Sequence, residues 1–170
     1  MKNLLLAGAL LLATQFNVLA QEQAPQSPKA TAEGKNVKVT YGQPSKRGRV
    51  IFGGLVPYGQ VWRAGANEAT EITFTKDATI DNKVVKAGTY SLFITPEKDK
   101  WVIILNSELK QWGSFGYEKI KSKDVFRTGV TVEKAPVQEK LTYSFKDESY
   151  GTMLTIAWDD VQVKLPINFK

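Results

Sequence analysis

The 170-residue chain contains no cysteine and no histidine. Without cysteine no disulfide can form and no thiol can take a lipid, so the fold stands on packing and hydrogen bonds alone. Without histidine, triads and dyads built on an imidazole base are excluded, as are His-containing zinc and iron sites. Catalysis would have to use carboxylates, lysine, tyrosine or serine, and any metal would be a hard cation held by oxygen. No stretch reaches the roughly 18 consecutive apolar residues of a membrane-spanning helix, so no membrane span is expected. Acidic residues are in modest deficit, 17 against 23 basic ones, for a formal charge of +6. This excess is spread over many lysines and does not point to nucleic acid.

Lys2, the apolar run Leu4 to Ala13 and the small-residue exit Val18-Leu19-Ala20 form the three parts of a secretory signal peptide. Residues 1–20 are read as that signal, with cleavage near Ala20 and export to the periplasm or the exterior. Residues 21–35 are rich in Gln, Ala, Pro and Ser without a large apolar side chain, and are expected to be a flexible leader. Residues 36–170 then form a single β domain, long enough to bury one core.

From Val37 onward the apolar residues recur with a period of two: Val37, Val39 and Tyr41; Ile72 and Phe74; Tyr90, Leu92 and Ile94; Leu141, Tyr143 and Phe145; Leu154, Ile156 and Trp158; Val161, Val163 and Leu165. Each set describes a half-buried strand. Trp101 to Leu105 is apolar throughout and reads as a central strand covered on both sides, with a buried helix as the alternative for so short a run. Turn chemistry separates the runs at Asp81-Asn82, Lys86 to Gly88, Pro96 to Asp99, Asp147 to Gly151 and Asp159-Asp160, the last spaced as a tight hairpin. Helix is expected only as a turn or two from Pro57 and around Tyr117 to Lys123. The fold class is all-β: a two-sheet, jelly-roll-like sandwich of eight to ten strands, with a closed barrel as the alternative.

The segments YGQPSKRGRVIFGGLVPYGQVWRAGANEATEITFT from Tyr41 and AGTYSLFITP from Ala87, followed by Trp101 and Gln111-Trp112-Gly113, carry a resemblance. They are similar to a bacterial exported family known as domain of unknown function 2911. The resemblance covers essentially the whole chain beyond the leader. It implies an exported β-rich protein and transfers no reaction, ligand or site residue.

Leu55 to Thr75 concentrates the unusual chemistry. Trp62, Arg63, Asn67 and Glu68 crowd a loop of small residues, Ala64-Gly65-Ala66, before the strand at Ile72. Strand parity turns Ile72, Phe74, Thr70 and Glu68 inward, and Asn67, Glu71, Thr73 and Thr75 outward. An inward carboxylate needs a partner, and Arg63 is the nearest unusual cation. Two readings follow. Arg63 and Glu68 form a buried ion pair while Trp62 caps the core, or Arg63, Asn67 and Trp62 present donors and a flat face to a small polar or anionic ligand, such as a glycan. The small side chains at 64–66 would let the backbone approach a ligand or another strand closely.

Other features are secondary. Tyr58, Trp112 and Tyr117 are candidate aromatic platforms, and Gln111 to Gly116 is a glycine-flanked loop that could close over a pocket. Lys46, Arg47 and Arg49 form a basic knot without the glycine spacing of a phosphate loop. Glu68 is the candidate general acid or base; a glycosidase pair would need Asp159, Asp160 or another distant partner, because Glu71 would lie across the strand from Glu68. Asp77, Asp81 and Asn82 match no calcium loop. No cofactor and no metal are expected. The first functional expectation is a non-catalytic binding module, the second a histidine-free hydrolase with Arg63 tuning Glu68, and the third an envelope interaction protein.

Overall fold

A computed structural model describes residues 26–169; the expected signal segment and the start of the leader lie outside them. Nine strands form: β1 (Lys29–Gly34), β2 (Val37–Gly42), β3 (Thr70–Phe74), β4 (Ala78–Ile80), β5 (Lys83–Val85), β6 (Gly88–Pro96), β7 (Lys100–Asn106), β8 (Asp124–Glu148) and β9 (Gly151–Phe169). The helix α1 (Tyr117–Ile120) and a 3-10 turn at Lys121–Lys123 precede β8. The chain is therefore all-β. Its strands join one antiparallel sheet in the order β1-β2-β3-β6-β7-β8-β9-β4-β5, open at β1 and β5. It does not close into a barrel; its two halves, β1-β2-β3-β6-β7 with the start of β8 and the rest of β8 with β9-β4-β5, face each other across one core as the layers of a sandwich, joined through β8.

A single sheet can enclose a core because β8 belongs to both halves. Its first residues, to Thr131, pair with β7, and from Val132 onward it pairs with β9. The sheet folds over along this strand. Val39, Ile72 and Phe74 from one half then share a core with Leu154, Ile156 and Trp158 from the other. The expected Asp159-Asp160 hairpin is absent: β9 runs through both residues, and the register with β8 slips on either side of Gln138, which faces Asp159. Four residues of β8 there span two of β9, and Pro136 and the polar run after it look like a break in sequence but occupy this bulged stretch.

β1 corrects the expected leader boundary. Lys29 to Gly34 pairs along its whole length with β2, and its small residues Ala30 and Ala32 pack on the core. Small side chains suit this edge because it closes on β8, where a Cβ on Gly34 would lie 2.8 Å from Phe145 Cβ. β7 behaves as its composition requires. Trp101, Ile103 and Leu105 enter the main core, while Ile104 joins Phe93, Ala69 and Tyr117 in a second cluster on the outer face, against α1. Asp81 and Asn82 make the β4–β5 hairpin with φ of 48° and 58°, the left-handed pair that a two-residue turn demands. Pro57 starts a turn and no helix.

Candidate functional site

The Leu55–Thr75 segment is built onto the end of β6. Trp62 exchanges both backbone hydrogen bonds with Ile94, at 2.7 and 2.9 Å, taking over as neighbour of β6 where β3 stops. Trp62 thereby turns into the core. It is 8% exposed, stacks on Trp158 at 6.0 Å and 22°, and donates its indole N–H to the Gly65 carbonyl at 3.0 Å. It offers no face to a ligand, so the ligand-binding role expected of Trp62 is replaced by a core one.

The following bend is held from inside. Ala64 is fully buried with a φ of 55°, a conformation that is costly without glycine. Its carbonyl accepts hydrogen bonds from the Thr70 hydroxyl at 2.9 Å and the Tyr143 hydroxyl at 2.6 Å. Burial pushes the Tyr143 phenol well above its usual pKa. The close backbone approach expected from Ala64-Gly65-Ala66 is made to β2: Ala66 donates to the Gly42 carbonyl at 3.1 Å, and a Cβ on Gly42 would fall 2.1 Å from Ala66 O.

Arg63, next to Trp62, points to the opposite face. Its Nη1 donates to the Asn67 carbonyl at 3.2 Å, its guanidinium lies 5.9 Å from the Phe115 ring centre, and partial burial lowers its pKa. Asn67 takes a φ of 64° and donates its side-chain amide to the Ser27 carbonyl at 2.9 Å. This left-handed residue breaks the alternation that was extrapolated back from Ile72. Thr70 is inward as expected, with 0% exposure, but Glu68 is at the surface. No Arg63–Glu68 ion pair exists among the described residues.

The glycine-flanked loop after β7 docks onto this segment. Ala69 donates to Gln111 O at 2.8 Å and Gly113 to Asn67 O at 3.1 Å, with Glu68 bridged to Trp112 through the backbone. Beside the junction lies a cleft of about 420 Å3 lined by Lys29, Thr40, Asn67, Glu68, Glu71 and Lys110 among others. Its four charged side chains come from three distant segments. None of the four makes an ion pair among the described residues; one Glu71 oxygen accepts only the Lys110 backbone N–H, at 3.4 Å. Lys29 and Lys110 were missed from sequence. The outward parity of Glu71 was the available signal, since the sheet register sets it opposite Thr40 and Ser91.

The secondary candidates separate. Tyr117 is buried and its hydroxyl donates to Asp124 at 2.6 Å; burial first, then this bond, raises its pKa. Trp112 and Tyr58 remain exposed, at 57% and 37%. The basic knot is tied into the fold, with Lys46 paired to Asp159, the Arg47 N–H on Glu139, and Arg49 on the Lys46 and Ser45 carbonyls. Asp77 pairs with Lys86, and Asp81 accepts from Thr128. No acidic cluster suited to a metal occurs among the described residues, and no described helix is long and apolar enough to cross a membrane.

Comparison with curated proteins and with solved structures gave no match. Residues 23–167 match the family described as "Protein of unknown function (DUF2911)", and the chain belongs to that family.

Proposed function

We propose that this protein is an exported, non-catalytic binding domain, and that the cleft beside Asn67 to Glu71 takes a small polar molecule carrying both signs of charge. The observation that carries this reading is the set of four charges, Lys29, Lys110, Glu68 and Glu71, that line one concavity without pairing. Some lysines and carboxylates elsewhere on the surface do pair, as Lys86 does with Asp77 and Lys164 with Glu133. Two ammonium groups and two carboxylates around a cleft of this size suit a zwitterion such as a free amino acid or short peptide. The hydrolase reading loses its premise, because Arg63 does not reach Glu68.

Thermal-shift screening with amino acids, dipeptides and inorganic phosphate tests the proposal. A stabilising zwitterion whose effect vanishes in Lys110→Ala and Glu71→Gln supports it. Phosphate alone stabilising, or shifts unchanged in both variants, rejects it. Export is tested separately by the mass of the chain recovered outside the cytoplasm, which should correspond to a start near Gln21.

A further inference from the structure

The aromatic core comes to the surface at the other end of β6 from the cleft. Phe52 is half-buried and lies 4.8 Å from Trp101, with Trp62 and Trp158 edge-on at 6.2 and 6.3 Å. It contributes to the wall of a cavity of about 400 Å3, bordered also by Tyr58, Asp99, Lys134, Asp159 and Asp160. The Tyr58 ring is seated over Gly53, where a Cβ would come within 2.7 Å of Tyr58 Cε2.

The facing wall is the β8–β9 bulge. Asp159 adopts a φ of 55° where the register slips, and such bulges re-aim side chains at sites. Lys46 holds Asp159 and Lys134 holds Asp160; the Lys134 contact keeps the Asp160 carboxyl below its usual range. Each carboxylate keeps acceptor sites beyond its one lysine, since an ionised carboxyl offers about four lone pairs. Aromatic surface at one side and fixed acceptors and ammonium donors at the other match one ligand chemistry closely. A pyranose ring has an apolar face for the aromatic side and hydroxyls that both donate and accept. Lys98 and Lys134 on the lining, with Lys46 behind Asp159, balance the three carboxylates and leave no positive excess for a simple anion, and the charged wall disfavours an apolar ligand.

We propose that this cavity is a saccharide-binding site, with Phe52 and Tyr58 under the sugar ring and Asp99, Asp159, Asp160 and Lys134 on its hydroxyls. It is separate from the zwitterion cleft and does not depend on it. The test is saturation-transfer NMR on the protein with glucose, N-acetylglucosamine and cellobiose as probes. Transfer to the ring protons of at least one sugar is expected, falling severalfold in Tyr58→Ala and in Asp160→Asn and persisting in Tyr58→Phe. Lys110→Ala should retain it, which separates this site from the cleft. No transfer from any probe, or transfer undiminished in both Tyr58→Ala and Asp160→Asn, overturns the proposal. If Tyr58→Ala fails to fold, Asp160→Asn decides.

Discussion

The Tyr143 hydroxyl donates a 2.6 Å hydrogen bond to the carbonyl of Ala64, 79 residues earlier in the chain. It ties one half of the folded-over sheet to the bend that shapes the candidate site. Thr70 donates to the same oxygen from β3, so the left-handed Ala64 is over-determined. Removing one donor leaves the carbonyl satisfied, whereas removing both leaves it buried and orphaned. Tyr143→Phe should therefore cost only about 1 kcal/mol, and adding Thr70→Val should raise the loss to about 3 kcal/mol, more than the two singles summed. Urea unfolding of the three variants checks this.

Gly42 is required for space and Gly48 only for its backbone. Gly42→Ala sets a Cβ 2.1 Å from Ala66 O, while Gly48, at φ +70°, has nothing within 4 Å. Gly42→Ala should lose several kcal/mol or fail to fold, against about 1 kcal/mol for Gly48→Ala. Melting curves for the pair measure the difference.

Arg63 and Glu68 should be energetically independent. A double-mutant cycle with Arg63→Ala and Glu68→Gln is expected to give a coupling below about 0.5 kcal/mol, as for residues that do not interact. Arg63→Ala alone should still destabilise, through the lost Asn67 carbonyl bond and the packing on Phe115.

Stability should be flat across neutral pH, because no histidine is present to titrate there. The Tyr117 and Tyr143 phenols have folded pKa values raised by burial. Their contribution is fully present below the unfolded phenol value of about 10 and is lost as pH rises from there toward the folded values. On the acid side, Asp77, Glu133 and Asp160 are depressed by Lys86, Lys164 and Lys134. Their contribution is present above the unfolded carboxyl values near about 4 and fades as pH falls through the folded ones. Unfolding free energy against pH should show this plateau and both shoulders, the alkaline one steeper because those phenols are buried.

What could be read from sequence was whatever local periodicity controls. The apolar run Trp101 to Leu105 gave a strand covered on both faces, and Asp81-Asn82 gave a turn, which the structure builds as the β4–β5 hairpin, whereas the hairpin read at Asp159-Asp160 is not formed. Thr70 was placed inward by parity counted over two residues. Carried two residues further, the same count failed at Glu68, because Asn67 reverses the backbone there. β1 was invisible because its small residues carry no hydrophobic signal, and it is ordered by the β2 edge it covers. The single bent sheet was hidden because β8 runs through a polar, proline-bearing stretch. The cleft was hidden for a related reason: Lys29, Glu71 and Lys110 meet only through pairing between segments far apart in the chain.

The most direct test of the zwitterion cleft is a backbone amide NMR titration of the protein with a panel of free amino acids and dipeptides. The account predicts saturable shifts concentrated at residues 27–29, 67–71 and 109–110, and lost in Lys110→Ala. Shifts centred elsewhere on the sheet, or none with any member of the panel, would contradict it.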